Sequence, residues 1–226
     1  KQMESGSVDL ILTDPPYDIS RNSNFKSGKL SKFNQISIDF GYWDTEIDLE
    51  QLFKEYYRVL RKGGTLVLFF DIWKSSFIKA ISSQNKFKQP RIGQWLKNNP
   101  VPVNSKVNYL SNCSEYFFSF VKDKNPTFNS EYDNGIYNFP LCHGKERLEH
   151  PTQKPPTLYE KVLRRCTKPG DIILDLFGGS GSQLVAAEQL KRRMFLCEID
   201  PVFCDVIVSR YQQLTGKEAI YVDSEK

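Results

Sequence analysis

Apolar positions recur along this chain in two rhythms, and the alternation between them defines its elements. Val8-Asp9-Leu10-Ile11-Leu12-Thr13 is a short apolar run that reads as a strand. Asp14-Pro15-Pro16-Tyr17 ends it, because two prolines cannot continue a central strand. Leu49, Leu52, Phe53, Tyr56, Tyr57 and Leu60 then form a single helical stripe. Asp48 stands where a cap belongs, Lys62-Gly63-Gly64 supplies the expected stop, and Thr65 to Phe70 reads as a buried strand. From 72 to 149 the signals are mixed: a helix over about 74–83, a strand from Ser114 to Val121, and little regular structure over 122–149. The pattern sharpens again with a helix from Leu158 to Cys166 and a strand from Asp171 to Asp175. The glycine loop Gly178-Gly179-Ser180-Gly181 opens a helix from Ser182 to Leu190, and a strand from Met194 to Glu198 follows. Asp200 caps a last helix that Pro201 begins and Gly216 closes. Strands alternating with helices predict an α/β fold, a mostly parallel sheet with helices on both faces. With no repeat and no linker, residues 1–226 read as a single domain. The Ser-, Asn-, Lys- and Gly-rich stretch 18–42 reads as a mobile loop.

Composition adds modest bounds. The 226 residues can bury one sizeable core, and the formal net charge of +4 permits a nucleic-acid partner without requiring one. The five cysteines form no C-x-x-C pair, so no zinc module and no other metal is expected, and free thiols suit a reducing compartment. No apolar run is long enough to span a membrane and no leader pattern is visible, so no membrane partner is expected and a cytoplasmic location is the default. The chain starts abruptly before a strand, which suggests that a segment precedes Lys1.

Two constellations carry chemistry. Asp175-Leu176-Phe177-Gly178-Gly179-Ser180-Gly181-Ser182 places backbone amides beside a ligand with few side chains in the way. Glu198 ends the next strand, where nucleotide-binding α/β units meet ribose hydroxyls. The dinucleotide fingerprint and the nucleoside-triphosphate loop are both absent, so an adenosine-containing cofactor without a phosphate cradle fits best. The other constellation is the Asp14-Pro15-Pro16-Tyr17 turn, at the strand end where open α/β sheets bind ligands. The Asp14 carboxylate and the Pro15 carbonyl are two acceptors suited to the hydrogens of a base amino group, and Tyr17 offers a face for an extruded base. An ordinary proline turn and an ordinary tight strand-to-helix turn would explain each feature singly, but not their pairing.

These residues resemble the amino-methyltransferases of DNA, in the group whose catalytic motif precedes its cofactor motif, as in orphan, phage-borne and restriction-modification members. Asp14-Pro15-Pro16-Tyr17 resembles the catalytic motif and Asp175 to Ser182 the F-x-G-x-G cofactor motif. His150-Pro151-Thr152-Gln153-Lys154-Pro155 resembles the segment upstream of it. The resemblance implies a Rossmann-like S-adenosylmethionine-dependent methyltransferase fold with circularly reordered motifs. It implies that Asp14, Pro15, Pro16 and Tyr17 act in catalysis. It assigns Asp14, Asp175, Phe177, Gly178, Gly179, Ser180, Gly181, Ser182 and Glu198 to S-adenosylmethionine, with Thr152 and Lys154 at its carboxylate end. Ser182-Gln183 departs from the family's Thr-Thr, which puts a hydroxyl contact from position 183 in doubt. Asp39-Phe40 and Trp43-Asp44 resemble a family patch near the cofactor.

The implied products are S-adenosylhomocysteine and a methylated base in double-stranded DNA. Asp at the first motif position leans towards N6 of adenine, with N4 of cytosine as the rival and a decayed, non-catalytic DNA-binding domain as a reading of another class. Lys26, Lys29, Lys32, Lys122, Lys124, Lys145 and Arg147 are candidate phosphate partners, and 122–149 the candidate target-recognition segment. A homodimer and a cognate restriction endonuclease are the further partners that the resemblance implies.

Overall fold

A computed structural model describes residues 3–16, 48–100, 111–147 and 153–222 of the chain. The elements run β1 (Val8–Thr13), α1 (Leu49–Val59), β2 (Leu60–Phe70), α2 (Ser75–Gln84), β3 (Phe87–Lys97), β4 (Ser114–Lys122) and β5 (Ile136–Phe139). They continue with α3 (Pro156–Cys166), β6 (Ile172–Asp175), α4 (Ser182–Gln189), β7 (Arg193–Leu196) and α5 (Pro201–Thr215). Single 3-10 turns occupy Ile72–Lys74 and Gly144–Glu146.

The strands form one sheet in the order β5-β3-β4-β2-β1-β6-β7. β1 pairs in parallel with β2 and β6, β6 with β7, and β3 with β5, while β4 runs antiparallel to both β2 and β3. The expected mostly parallel sheet is therefore present, with β4 as its one reversed strand among the described residues. β1 lies between two parallel neighbours and is covered on both faces, which accounts for its run of Leu10, Ile11 and Leu12, all fully buried. On one face Phe53, Tyr56, Ile78 and Ile81 of α1 and α2 pack over Ile11, Leu66, Leu68 and Phe120. On the other, Leu158, Tyr159, Val162, Ala186 and Ala187 of α3 and α4 pack over Leu10, Val67, Phe69 and Ile173. Helices cover both faces, as the alternation requires.

The structure departs from the pattern reading at several points. The first helix ends at Val59, and Leu60 is already extended and part of β2. Its closing device is not the glycine pair but Lys122, whose ammonium donates to the Tyr57 and Leu60 carbonyls at 2.6 and 2.7 Å and lies 4.7 Å over the Tyr57 ring. Lys122 is thus held by the helix end. Residues 61–64 are taken up in an irregularity of β2, between the Val8–Leu60 and Leu10–Thr65 pairs. β3 escaped the reading because Pro90 and the positive φ of Gln89 interrupt its alternation, within the shift between Lys88 and Arg91. Segment 122–149 has little regular structure, as expected, but it includes Ile136–Phe139, which is β5, tied to β3. The last strand stops at Leu196, which leaves Glu198 in the loop after it.

Segment 122–147 also divides in space. The Asn129 amide and side chain donate to the carbonyls of Arg164, Arg165 and Thr167, so this part docks on the carboxyl end of α3. α3 begins just after Lys154, which contacts Asp14, and its 11 residues carry the chain about 16 Å to the opposite end of the sheet. Only the part from β5 to Arg147 returns to the Asp14 end, where Gln153 donates to the Glu146 carbonyl at 2.9 Å.

Candidate functional site

β1 and β6 are parallel neighbours, so Asp14 and Asp175 stand side by side at the carboxyl end of the sheet. The Thr13 hydroxyl pins the two strand ends together, donating to Asp175 Oδ1 at 2.7 Å, and the Phe177 amide donates to the same oxygen at 3.0 Å. Asp175 is fully buried, and its Oδ2 has no hydrogen-bond partner among the described residues. Burial pushes its pKa up to about 8, against the Thr13 and Phe177 hydrogen bonds, with the charges of Asp14 and Glu198 adding to the rise.

The glycine loop turns on contacts that exclude side chains. The Gly178 amide donates to the Cys197 carbonyl at 2.8 Å, and a Cβ on Gly178 would lie 2.8 Å from Leu196 Cδ2 and 3.1 Å from the Cys197 oxygen. Gly181 has φ of +73° as it enters α4, and a Cβ there would meet Ile207 Cγ1 at 2.9 Å. Beyond β7 the Glu198 carboxylate is fixed by backbone: Gly179 N–H donates to Oε2 at 2.6 Å, and Ile199 and Asp200 N–H each donate to Oε1 at 2.9 Å. The hydroxyls of Ser180 and Ser182 lie 3.2 Å apart, and Arg210 of α5 donates to the Ser180 carbonyl and the Ser182 hydroxyl.

On the other side of Asp14 lies a chain of charges. The Lys154 ammonium, with its side chain 3% exposed, pairs with Asp14 Oδ2 and lies 3.1 Å from Glu115 Oε2. It sits 4.9 Å over the Phe69 ring. Glu115 Oε1 meets Lys97 Nζ at 2.8 Å. Burial disfavours ionisation of Glu115, but the ammonium groups of Lys154 and Lys97 outweigh it and hold its pKa below the ordinary range. Burial likewise opposes the charge on Lys154, and Asp14 and Glu115 outweigh it to raise its pKa.

Asp14, Pro15, Pro16, Lys154, Asp175, Phe177 to Ser182 and Glu198 thus all lie at this one end of the sheet. Tyr17, Thr152, the loop 18–42 with its lysines, Asp39-Phe40 and Trp43-Asp44, and His150-Pro151 lie outside the described residues, as does the Lys145 side chain. Lys97, Glu115 and Arg210 join the site without having been read from the sequence. The one local signal was a glutamate opening the aromatic strand Tyr116-Phe117-Phe118. A cavity of about 300 Å3, lined by Arg91, Ser119, Phe128, Asp133 and Arg165, opens at the far end of the sheet and does not include these residues. No group of residues that could hold a metal ion occurs among the described residues, nor any helix long and apolar enough to cross a membrane.

Comparison with known proteins gives the arrangement its context. The chain is 28% identical to the type II methyltransferase M2.DpnII of Streptococcus pneumoniae, over 93% of this chain and 85% of that protein. It is 25% identical to the type II methyltransferase M.HinfI of Haemophilus influenzae, over 95% of this chain and 66% of that one. Its fold superposes on the crystal structure of M1.HpyAVI in complex with SAM with a TM-score of 0.70, at 28% identity over 92% of this chain and 89% of the other. Residues 8–209 match the model of the DNA methylase family, and the chain is a member of that family of N6/N4 amino-methyltransferases.

Proposed function

We propose that this chain moves the methyl group of S-adenosylmethionine to the N6 amino group of an adenine extruded from double-stranded DNA. The observation that carries the reading is the placement of Asp14 beside the end of β6, one strand from the glycine loop. Three features fit the cofactor. The loop at Gly178 and Gly181 leaves no room for a Cβ, so its backbone lies bare at the strand ends. Glu198 is oriented by three backbone N–H groups and keeps acceptor capacity for ribose hydroxyls. The buried Asp175 carboxyl keeps one oxygen without a partner among the described residues. In this reading Asp175, Phe177 to Ser182 and Glu198 hold the cofactor, and Thr152 and Lys154 meet its carboxylate end.

When bound, S-adenosylmethionine supplies a methyl group made electrophilic by its sulfonium. The chain's own part is to position and polarise the amino group. An Asp14 carboxylate oxygen accepts one amino hydrogen and the Pro15 carbonyl the other, which draws the nitrogen lone pair out of the base ring. The Asp14 carboxylate is also placed to receive the proton that the nitrogen gives up. Tyr17 stacks on the base, whose extrusion costs a few kcal/mol. In this reading the DNA is read from within the recognition segment 122–149, by residues 136–147, the part that returns to the Asp14 end. A homodimer and a cognate endonuclease complete the reading.

The test incubates the purified protein with labelled S-adenosylmethionine and unmethylated duplex DNA, and identifies labelled nucleosides by mass spectrometry. Label in N6-methyladenine, reduced by Asp14→Ala at least about a hundred-fold, is the expected result. Label in N4-methylcytosine keeps the mechanism and replaces the target base. Bound cofactor with no label in any base points to the non-catalytic reading.

A further inference from the structure

We propose that Glu115 is a positioning residue for methyl transfer, acting on Asp14 through Lys154; the proposal rests on the function read above. It starts from a topological fact. β4 is the reversed strand, so its first residues, not its last, lie at the end of the sheet that carries Asp14. β3 ends there with Lys97, and the Trp95–Glu115 register sets the two strands' charged residues within reach of each other.

Lys154 is almost closed to water, and a buried ammonium requires opposite charge close by. Two carboxylates provide it, Asp14 and Glu115, with the Phe69 ring beneath. Glu115 is held in turn by Lys97, so the four groups alternate in sign and sum to zero.

The sharing has a consequence for chemistry. Asp14 needs a carboxylate oxygen directed at the amino group of the target base. With Glu115 in place, Lys154 keeps a counter-charge while Asp14 turns to that group. Without it, Lys154 loses one of the two carboxylates seen beside it, and the ammonium draws the Asp14 acceptor oxygen more strongly to itself. Glu115 touches neither base nor cofactor in this scheme; it sets how strongly Lys154 holds Asp14.

The experiment compares wild type, Glu115→Gln, Glu115→Asp and Lys97→Met. It measures kcat at saturating DNA and cofactor, normalised to cofactor-binding sites, and S-adenosylmethionine affinity by calorimetry. Glu115→Gln is expected to lower kcat at least ten-fold without weakening S-adenosylmethionine binding, because losing one carboxylate leaves the Lys154 ammonium freer for the cofactor's carboxylate end, and Glu115→Asp to recover most of the loss. A purely structural role would lower the melting temperature and leave normalised kcat unchanged, which overturns the proposal. Should Glu115→Gln fail to fold, Lys97→Met decides, with a fall in kcat of at least three-fold expected and an unchanged kcat overturning the idea. A wild-type protein that labels no base fails the functional reading and takes this proposal with it. A wild type that labels DNA beside an equally fast Glu115→Gln enzyme overturns the proposal alone.

Discussion

At the ends of β6 and β7 the carboxylates are held by backbone, whereas at the facing ends of β3 and β4 the charges are held by one another. Glu198 takes N–H groups from Gly179, Ile199 and Asp200, and Asp175 takes one from Phe177. Lys97, Glu115, Lys154 and Asp14 instead form a run of ion pairs between residues far apart in the chain. The first arrangement depends mainly on the conformation of a short loop, with the distant Thr13 hydroxyl adding one bond to Asp175. The second depends on the charge of every member. One half of the sheet offers a shaped seat, and the other offers an electrostatic setting.

A matched pair of glycine substitutions tests whether the halves are separable. Gly178→Ala places a methyl 2.8 Å from Leu196 Cδ2 in the backbone-held half. Gly93→Ala places one 2.1 Å from Phe117 Cζ in the other half, against a ring buried beside Phe69 and Tyr137. Gly93→Ala is expected to cost about 3 kcal/mol of folding free energy in urea titrations, with S-adenosylmethionine affinity per folded molecule within two-fold of wild type. Gly178→Ala is expected to cost about 1–2 kcal/mol and to weaken cofactor binding at least ten-fold by calorimetry, because the loop itself must shift. Equal losses of affinity in the two variants would show that the halves act as one unit.

The same division explains which features the sequence alone makes legible. Backbone-held features have local signatures: Asp175 at a strand end, glycines three residues apart, Pro201 after a capping Asp200 that accepts from Val202 N–H at 2.8 Å. Those elements and the helix faces were legible. β3 was not, because Pro90 and Gly93 break its alternation and its place depends on pairing with β4. Glu115 and Lys97 look like ordinary solvated charges in sequence, and only the register of two strands joins them to Lys154, far along the chain. Lys122 is ambiguous in sequence for the same reason. As a lysine next to a turn it suggested a phosphate contact, and the fold instead places it on the end of α1.

Asp175 provides a pH test confined to the backbone-held half. Burial pushes its folded-state pKa up to about 8, far above the ordinary aspartate value of about 3.9. The unfolded chain releases this proton near the ordinary value, while the folded chain keeps it to about 8. The group's contribution to stability is therefore fully present below the unfolded value, declines as pH rises through the window, and levels off above it. Asp175→Asn removes the titration and keeps an acceptor for Thr13 and Phe177. Between pH 5 and 8 wild type should lose on the order of 3–4 kcal/mol more stability than Asp175→Asn, measured by urea unfolding at each pH. Parallel curves for the two proteins would mean that Asp175 does not hold its proton in the fold.

The smallest expected effect sharpens the comparison at the far end of β4. Lys122→Met keeps an apolar stem beside Tyr57 but removes the donor to the Tyr57 and Leu60 carbonyls. Unpaired carbonyls at a helix end can turn to water, so the loss should be about 1 kcal/mol. DNA affinity and its dependence on salt should match wild type, because an ammonium held by the end of α1 neutralises no phosphate. A salt slope shallower by about one unit would return Lys122 to the DNA surface and extend that surface to the end of the sheet opposite Asp14. An unchanged slope confines it to the end where β4 begins, next to Glu115, and leaves the far end of the mixed half to hold the fold together.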